Sequence, residues 1–449
     1  MVSRKSETLR NKFYQPYLTI NINSALSKPV KINGSYKQYP YPTIGIYCGE
    51  GASHSWLWFV EILDAMGWWD MLFVDDQQIK AHGLHNLDVL LVSGGDTFAI
   101  AASLGKEGSD HLAHFLNEGG LYIGSCAGAY LPLTSSLPPL NLFNYASVKI
   151  SNLTKNLATP HTLPEKFCTP YGCSYVFHPV REEVKIKVVD FPSTIRHFDE
   201  LTAPLYGGPS FLPSEDAATV ALYTGFTSQT LFLTKSELAH DTIVGKGAIV
   251  SKRIGKGQMY LLGPHLEHPR YGEANTLIAE MIYHGMCKGE KTSHFPSLPA
   301  LPPSPEVKKL LRNLKAELSN SRIVALSLER DHLQWQIGYK TYEPEKIRVF
   351  LEAMWSRWDT IATQNTGNEV ELYGMYTMAK TLTRLLRSIK RDHHSGIERT
   401  ESIYEMFVLL KKLTACFLAI YFKERRRLMI NGGIDQCTCT LKQPPCSMP

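Results

Sequence analysis

The run Leu121-Tyr122-Ile123-Gly124-Ser125-Cys126-Ala127-Gly128-Ala129-Tyr130 limits the choice of fold more than any other stretch of the chain. An apolar segment ends at Gly124, Cys126 follows two positions later, and Gly128 follows at the same interval. Glycines on both sides of a reactive residue are what a strand needs to turn abruptly into a helix, because side chains there crowd the turn. Such an elbow sets the sulfur near a helix N-terminus, where the dipole favours thiolate. It also leaves the Ala127 N–H able to meet an anionic oxygen. The alternative reading of Cys126 is a buried structural cysteine, since an unpaired thiol packs like a small apolar residue.

The segments around the elbow alternate between strand and helix. Thr43–Cys48, Met71–Val74 and Leu87–Val92 are short apolar runs of the kind that fill a sheet covered on both faces. Trp56, Phe59, Val60, Leu63 and Met66 recur at helical spacing up to Gly67, and a second helix is expected over Gly108–Glu118. Strand and helix at this spacing predict an α/β fold with a mostly parallel sheet. Function in such sheets gathers at the carboxyl ends of the strands, where Cys126 and the Ser93-Gly94-Gly95-Asp96 turn fall.

From 132 to 257 the prolines multiply and short β-type runs appear at Val184–Val189, Thr219–Tyr223, Thr230–Thr234 and Ala248–Ile254. Lys235-Ser236-Glu237 and Gly255-Lys256-Gly257 are expected as turns. This is a β-rich elaboration of the same domain, closed by a strand over Gln258–Gly263 and a helix near Ala274–Cys287. The expected layout is an extended leader over 1–42, an α/β domain over 43–287 and a Pro-rich linker over 288–305. An all-α helical bundle over 306–430 and a flexible cysteine-containing tail over 431–449 complete it. The bundle rests on four apolar stripes, beginning at Val307, Ile347, Tyr373 and Ile403.

Composition excludes several classes. A net charge of +5 on 449 residues gives no reason to expect nucleic acid or an anionic membrane as partner. Nine scattered cysteines do not form a secreted disulfide framework, and the first residues lack the apolar core of a signal peptide. Leu413–Phe422 is too short to span a bilayer. The expected setting is cytoplasmic. Cys437, Cys439 and Cys446 lack a clear fourth ligand, so no metal is expected, and no cofactor. The P-loop pattern is absent as well.

Two further features carry chemistry. His265-Leu266-Glu267 follows the late strand, so an imidazole and a carboxylate that could fix its tautomer sit at a strand end. His268 is a rival base, and an ordinary surface histidine beside Pro264 is the plain alternative. Gly94-Gly95 lets backbone approach a substrate closely and offers the Gly95 N–H as a second oxyanion donor, its alternative being a simple turn. Lys423–Arg427 reads as a solvated helix end, with partner docking as the minority reading. Trp335, Trp355 and Trp358 read as packing residues.

Gly-Gly after one strand, Gly-x-Cys-x-Gly after the next and His-x-Glu after a late strand together resemble class I glutamine amidotransferases. The resemblance is closer to the amidotransferase-like domain at the N-terminus of eukaryotic biotin-protein ligases. It is carried by Ile46–Gly51, Leu91–Asp96, Gly120–Tyr130, Leu205–Phe211 and Gly263–Glu267, across residues 43 to 287. The resemblance implies a flavodoxin-like fold and a triad of Cys126, His265 and Glu267. It also implies an oxyanion and substrate-binding surface at Gly94, Gly95, Ala127, Gly207 and Gly208. Leu266 stands where amidotransferases usually have proline, and nothing matches the adenylate-binding loop of the ligase itself. The chain is therefore expected to be a thiol-dependent amidohydrolase acting on a small amide, and not by itself a biotin ligase. The alternative is a catalytically silent scaffold that binds a metabolite or protein, with the C-terminal helices docking a partner. A serine-type reaction at Ser125 is a more distant reading.

Overall fold

The computed structural model describes residues 30–32, 35–37, 42–153, 176–192, 200–286, 304–331, 333–338, 340–363, 369–397 and 400–432. The Pro-rich segment and the tail cysteines fall almost wholly outside these residues. Where the sequence predicts an extended arm, β1 (Val30–Ile32) and β2 (Ser35–Lys37) pair as a short antiparallel ladder.

The alternating segment follows as β3 (Ile44–Tyr47), α1 (Trp56–Met66), β4 (Met71–Val74), α2 (Asp76–His82) and β5 (Val89–Val92). It continues through α3 (Thr97–Asn117), β6 (Leu121–Ser125) and α4 (Ala127–Tyr130). Gly67 ends α1 in the left-handed conformation (φ 80°), as a C-terminal glycine should. The α2 helix was not among the expected elements, although Asp75 and Gln78 cap its start reciprocally. The helix expected over 108–118 begins earlier, at Thr97. Asp96 accepts the N–H groups of Phe98 and Ala99, so the Gly-Gly turn runs directly into a capped helix start, and Gly105 (φ 59°) kinks the helix farther on.

The β-rich part contains β7 (Val180–Arg181), β8 (Glu183–Val188), β9 (Glu200–Pro204), β10 (Ala218–Phe226) and β11 (Leu231–Phe232). Then come α5 (Ser236–Ile243), β12 (Gly247–Ile254), β13 (Gly257–Leu262) and α6 (Gly272–Met286). Ser236 and Glu237 open a helix rather than a turn, because Ala239 and Ile243, four residues apart, bury a common face. The strand β9 was not expected.

Nine of these strands form one sheet in the order β4-β3-β5-β6-β13-β12-β10-β8-β9. From β4 to β13 every pairing is parallel, and from β13 to β9 every pairing is antiparallel. Numbered along the chain, the parallel half runs 2-1-3-4-5, the flavodoxin-like order. The β-rich elaboration is thus an extension of the same sheet. β3, β5 and β6 are buried along their whole length, which is why they read as unbroken apolar runs.

The C-terminal region comprises α7 (Pro305–Glu329), a hairpin of β14 (Trp335–Ile337) and β15 (Lys340–Tyr342), and four more helices. These are α8 (Pro344–Trp355), α9 (Trp358–Thr363), α10 (Glu369–His394) and α11 (Thr400–Gly432). The second expected stripe is divided into α8 and α9, and the hairpin was not foreseen. α7 and α10 run side by side in the same direction. The Ser321 and Thr383 hydroxyls meet at 2.9 Å, and His394 reaches Asp331 at 3.7 Å near both C-terminal ends.

This region packs against the edge strand β4 of the sheet. Phe422 lies 6.1 Å from Phe73, and Phe350 lies 6.1 Å from Trp56. Each fully buried ring of this size contributes about 2–3 kcal/mol. Arg357, Tyr421 and Arg425 converge on Asp64, Arg426 pairs with Asp70, and Arg425 stacks over Trp69 at 4.2 Å. Three of the cations read as a solvated helix end are therefore engaged within the chain: Arg425 and Arg426 at the seam, and Arg427 on Glu424. No helix of the described residues is long and apolar enough to cross a membrane.

Candidate functional site

Three loops leave the carboxyl ends of the parallel strands β5, β6 and β13 and meet a fourth that follows the antiparallel strand β9. The elbow after β6 holds Cys126 at φ 51°, ψ −108°, one of two described non-glycine residues with positive φ. A side chain is strained in that conformation, at a cost of order 1–3 kcal/mol. The surroundings enforce it. The Cys126 N–H donates to the Leu262 carbonyl at 2.9 Å and the Gly128 N–H to the Ser93 carbonyl at 3.2 Å. A Cβ at Gly124 would come within 2.2 Å of the Gly128 oxygen, and one at Gly128 within 2.1 Å of the Val92 oxygen. The glycine spacing that marked the elbow in the sequence is thus a packing requirement.

The loop after β13 brings His265 to the elbow. Its backbone N–H is held by the Pro204 carbonyl at 2.8 Å, and its ring lies within hydrogen-bonding reach of the Cys126 sulfur. The other side of the ring meets Glu267, with Nδ1 at 2.7 Å from Oε1. The 139 positions between Cys126 and His265 are closed by the parallel pairing of β6 with β13. Both side chains are buried, His265 at 2 % exposure and Glu267 at 0 %.

Glu267 is held by more than the imidazole. Its Oε1 also accepts from the Ser125 hydroxyl at 2.5 Å and faces the Ser93 hydroxyl at 3.0 Å. Its Oε2, among the described residues, is buried with no hydrogen-bond partner. Burial opposes the charge on Glu267, but the His265 imidazolium and the Ser125 hydroxyl hold its pKa below the usual value. Burial likewise opposes protonation of His265. The facing Glu267 carboxylate and the Cys126 sulfur outweigh it and raise its pKa to about 10. Ser125 therefore serves the carboxylate, which leaves little for a serine-type reaction.

His265 is enclosed by rings. Trp58 meets it edge-on at 5.2 Å, and Tyr206 lies 5.7 Å away. His268 packs on Trp58 at 4.5 Å, and burial lowers its pKa to about 4. The Gly94-Gly95 turn touches the same histidine, since a Cβ at Gly94 would come 2.8 Å from His265 Cε1. Among the described residues, the N–H groups of Gly95 and Ala127 donate to no acceptor of the protein. The turn and the elbow are tied by the Thr97 hydroxyl on the Ala127 carbonyl at 3.3 Å. The Gly207-Gly208 turn lies alongside. The Gly207 carbonyl accepts from Tyr130, and Gly208 packs against the carbonyl of Gly263, two residues before His265.

All eight residues singled out from the sequence therefore fall in this one neighbourhood. Sequence reasoning assigned no part to Trp58, Ser93 and Tyr206, and it weighed Ser125 only for a distant serine-type reaction. Ser93 and Ser125 each end a strand of the parallel half or adjoin its last residue, which was the available signal.

Residues 43–136 match the family model described as biotin-protein ligase, N terminal. The matched segment spans β3 to α4 with the Gly-Gly turn and Cys126. His265 and Glu267 lie beyond it. No curated protein matches the chain. Among solved structures the chain is similar to the cytoplasmic protein STM1381 from Salmonella typhimurium LT2, at 12% identity and TM-score 0.32, covering 54% of this chain and 99% of that one. It is also similar to a ThuA-like protein from Bacteroides uniformis, at 13% identity and TM-score 0.33, covering 59% of this chain and 98% of that one. A β-galactosidase from Bacillus circulans is similar at 13% identity and TM-score 0.30, covering 58% of this chain and 33% of that one.

Proposed function

We propose, from the premise that residues 43–136 match the biotin-protein ligase N-terminal model, that the chain is a thiol-dependent amidohydrolase of the amidotransferase class acting on a small amide. The observation that carries this reading is one imidazole bridging the Cys126 sulfur and the buried Glu267 carboxylate, beside two backbone N–H groups without acceptors. With the His265 pKa raised to about 10, the ring holds its proton at neutral pH, and an imidazolium beside a sulfur favours thiolate.

The reaction then needs no prior proton transfer from the thiol. The Cys126 sulfur attacks the amide carbonyl, and the oxygen takes up charge facing the N–H groups of Gly95 and Ala127. As the C–N bond breaks, His265 gives its proton to the departing nitrogen, leaving a thioester and ammonia or an amine. Water then gives a proton to neutral His265 while its oxygen attacks the thioester carbonyl. The C–S bond breaks, the acid departs, and the thiolate–imidazolium pair is restored. Glu267 keeps the ring oriented throughout. A cytoplasmic, reducing setting would preserve the thiol.

The test is limiting iodoacetamide at mildly acidic pH, followed by peptide mass spectrometry, together with ammonia release from a panel of primary amides. Cys126 is expected to label ahead of thiols of ordinary pKa, near 8.5. His265→Ala is expected to abolish that preference, and Cys126→Ala to lower any turnover by about a thousandfold or more. Labelling of Cys126 no faster than other cysteines would overturn the reading.

One observation favours a silent scaffold instead. Cys126 is 7 % exposed, and His265 lies behind Trp58 and Tyr206. A ring-lined recess of this kind suits binding of a small molecule without turnover. Saturable binding of an amide that survives Cys126→Ala, with no turnover by the unaltered protein, would decide for it.

A further inference from the structure

The helix α10 carries Lys380, Arg384, Arg387 and Arg391 at intervals of four, three and four residues, the spacing that puts side chains on one helical face. All four are exposed, and all four line a single groove of about 670 Å³ beside α7. Among the described residues the side chains of Lys380, Arg384 and Arg387 enter no ion pair or hydrogen bond. Arg391 reaches the Ser388 hydroxyl at 3.1 Å and Asp392 at 3.8 Å. Among the described residues, the single carboxylate in the groove wall is Glu317.

Nothing in the fold accounts for this row. Like charges four apart on a helix destabilise it by a few tenths of a kcal/mol per pair. Elsewhere in the C-terminal region Arg322 pairs with Glu352, Arg348 with Glu329, and Arg357 with Asp64. We propose that this groove of α10 binds an acidic peptide segment of a partner protein in extended form. From Lys380 to Arg391 the four cations span roughly 16 Å of helix axis. Their mean axial spacing of about 5.5 Å is shorter than the roughly 6.6 Å between alternate positions of an extended chain, a difference their long side chains take up. The row would thus engage about six residues of an extended segment, with acidic side chains at three alternate positions. Leu385 supplies an apolar patch in the wall, while Glu317 and the hydroxyls there suit a peptide backbone better than a run of phosphates. Among the described residues no aromatic ring lines the groove, so they supply none of the stacking platforms on which single-stranded nucleic acids are held.

The experiment uses the full chain and a fluorescein-labelled peptide of alternating glutamate and serine, read by fluorescence anisotropy. A (dT)₈ oligonucleotide and a lysine-for-glutamate peptide are measured alongside. The glutamate peptide is expected to bind, to weaken as salt rises from 50 to 300 mM, and to lose at least about tenfold in affinity in the double variant R384E/R387E. The variant K380E/R391E, with its helicity checked by circular dichroism, is expected to weaken binding independently. No difference between either variant and the unaltered chain overturns the proposal. So does tighter binding of the oligonucleotide that is lost in the same variants, which would make the groove a nucleic-acid face.

Discussion

Two groups of inward-facing carboxylates in the chain are treated differently. At the seam with the C-terminal helices, Asp64 faces Arg357, Arg425 and the Tyr421 hydroxyl, and Asp70 faces Arg426 and the Thr43 hydroxyl at 2.7 Å. Charge there is met by opposite charge, Arg357, Arg425 and Arg426 against Glu61, Asp64 and Asp70, and both partners are fixed on helices or at strand ends. At the site, Glu267 is more deeply buried, yet it faces one imidazole and two hydroxyls, all on Oε1. Saturated charge holds two regions together. A carboxylate satisfied through one oxygen is set to control a neighbour, because its influence is directed along the His265 ring.

The comparison breaks most sharply at Arg357, which is 8 % exposed. Arg357→Met should destabilise the protein by about 3 kcal/mol, because Asp64 and Glu61 lose a buried counter-charge. Urea denaturation would show it as a lower midpoint, with amide labelling at Cys126 left intact. The site should respond to pH instead. The His265 pKa is raised from 6.5 to about 10, so its stabilisation is complete below pH 6.5 and lost as pH rises through about 10. The Glu267 pKa is lowered from 4.5, so its contribution is present above that value and lost as acid protonates it. Urea midpoints between pH 3 and 11 should trace a plateau with both edges, and His265→Ala should remove the alkaline edge.

Ser125→Ala should cost about 1.5–2 kcal/mol, the worth of a hydrogen bond to a buried charge, and should lower the pKa of His265 as its carboxylate is less well held. Imidazole proton resonances followed against pH would report it. The smallest effect has the opposite sign. Cys126→Gly relieves the positive φ and should raise stability by about 1 kcal/mol while abolishing labelling at that position. Loss of stability instead would mean that strain at the elbow is outweighed by what the Cys126 side chain contributes, and would weaken the contrast with the seam.

What could be read from the sequence follows from how far each interaction reaches. The parallel strands and the elbow were legible because burial on both faces and glycine crowding are local properties, written in runs such as Val89–Val92 and Gly124–Gly128. The neighbourhood of Cys126, His265 and Glu267 was legible because each follows the end of a strand, even though the fold alone unites them. Trp58 and Tyr206 were not, because each reads as ordinary core until the sheet sets them beside His265. The cations at Lys423–Arg427 failed as a solvated end for the same reason: Asp70, the partner of Arg426, lies 356 positions earlier. The α2 helix is a different kind of miss. Its Asp75–Gln78 capping box is a local signal that stands in the sequence unaided.

The placement of α11 against β4 has a consequence for how the protein is made. The strand is synthesised early, but Phe422, which packs on Phe73, is added 348 residues after Val74 (422 − 74). At ordinary elongation rates of 5–20 residues per second that is about 20–70 s. For that interval the growing chain carries a sheet edge with unpaired backbone groups and an uncovered aromatic cluster, both of which invite pairing with other chains. The last helix is therefore also the cap on a hazard of biosynthesis, and chains whose translation stops short of it should depend on chaperones to remain dispersed.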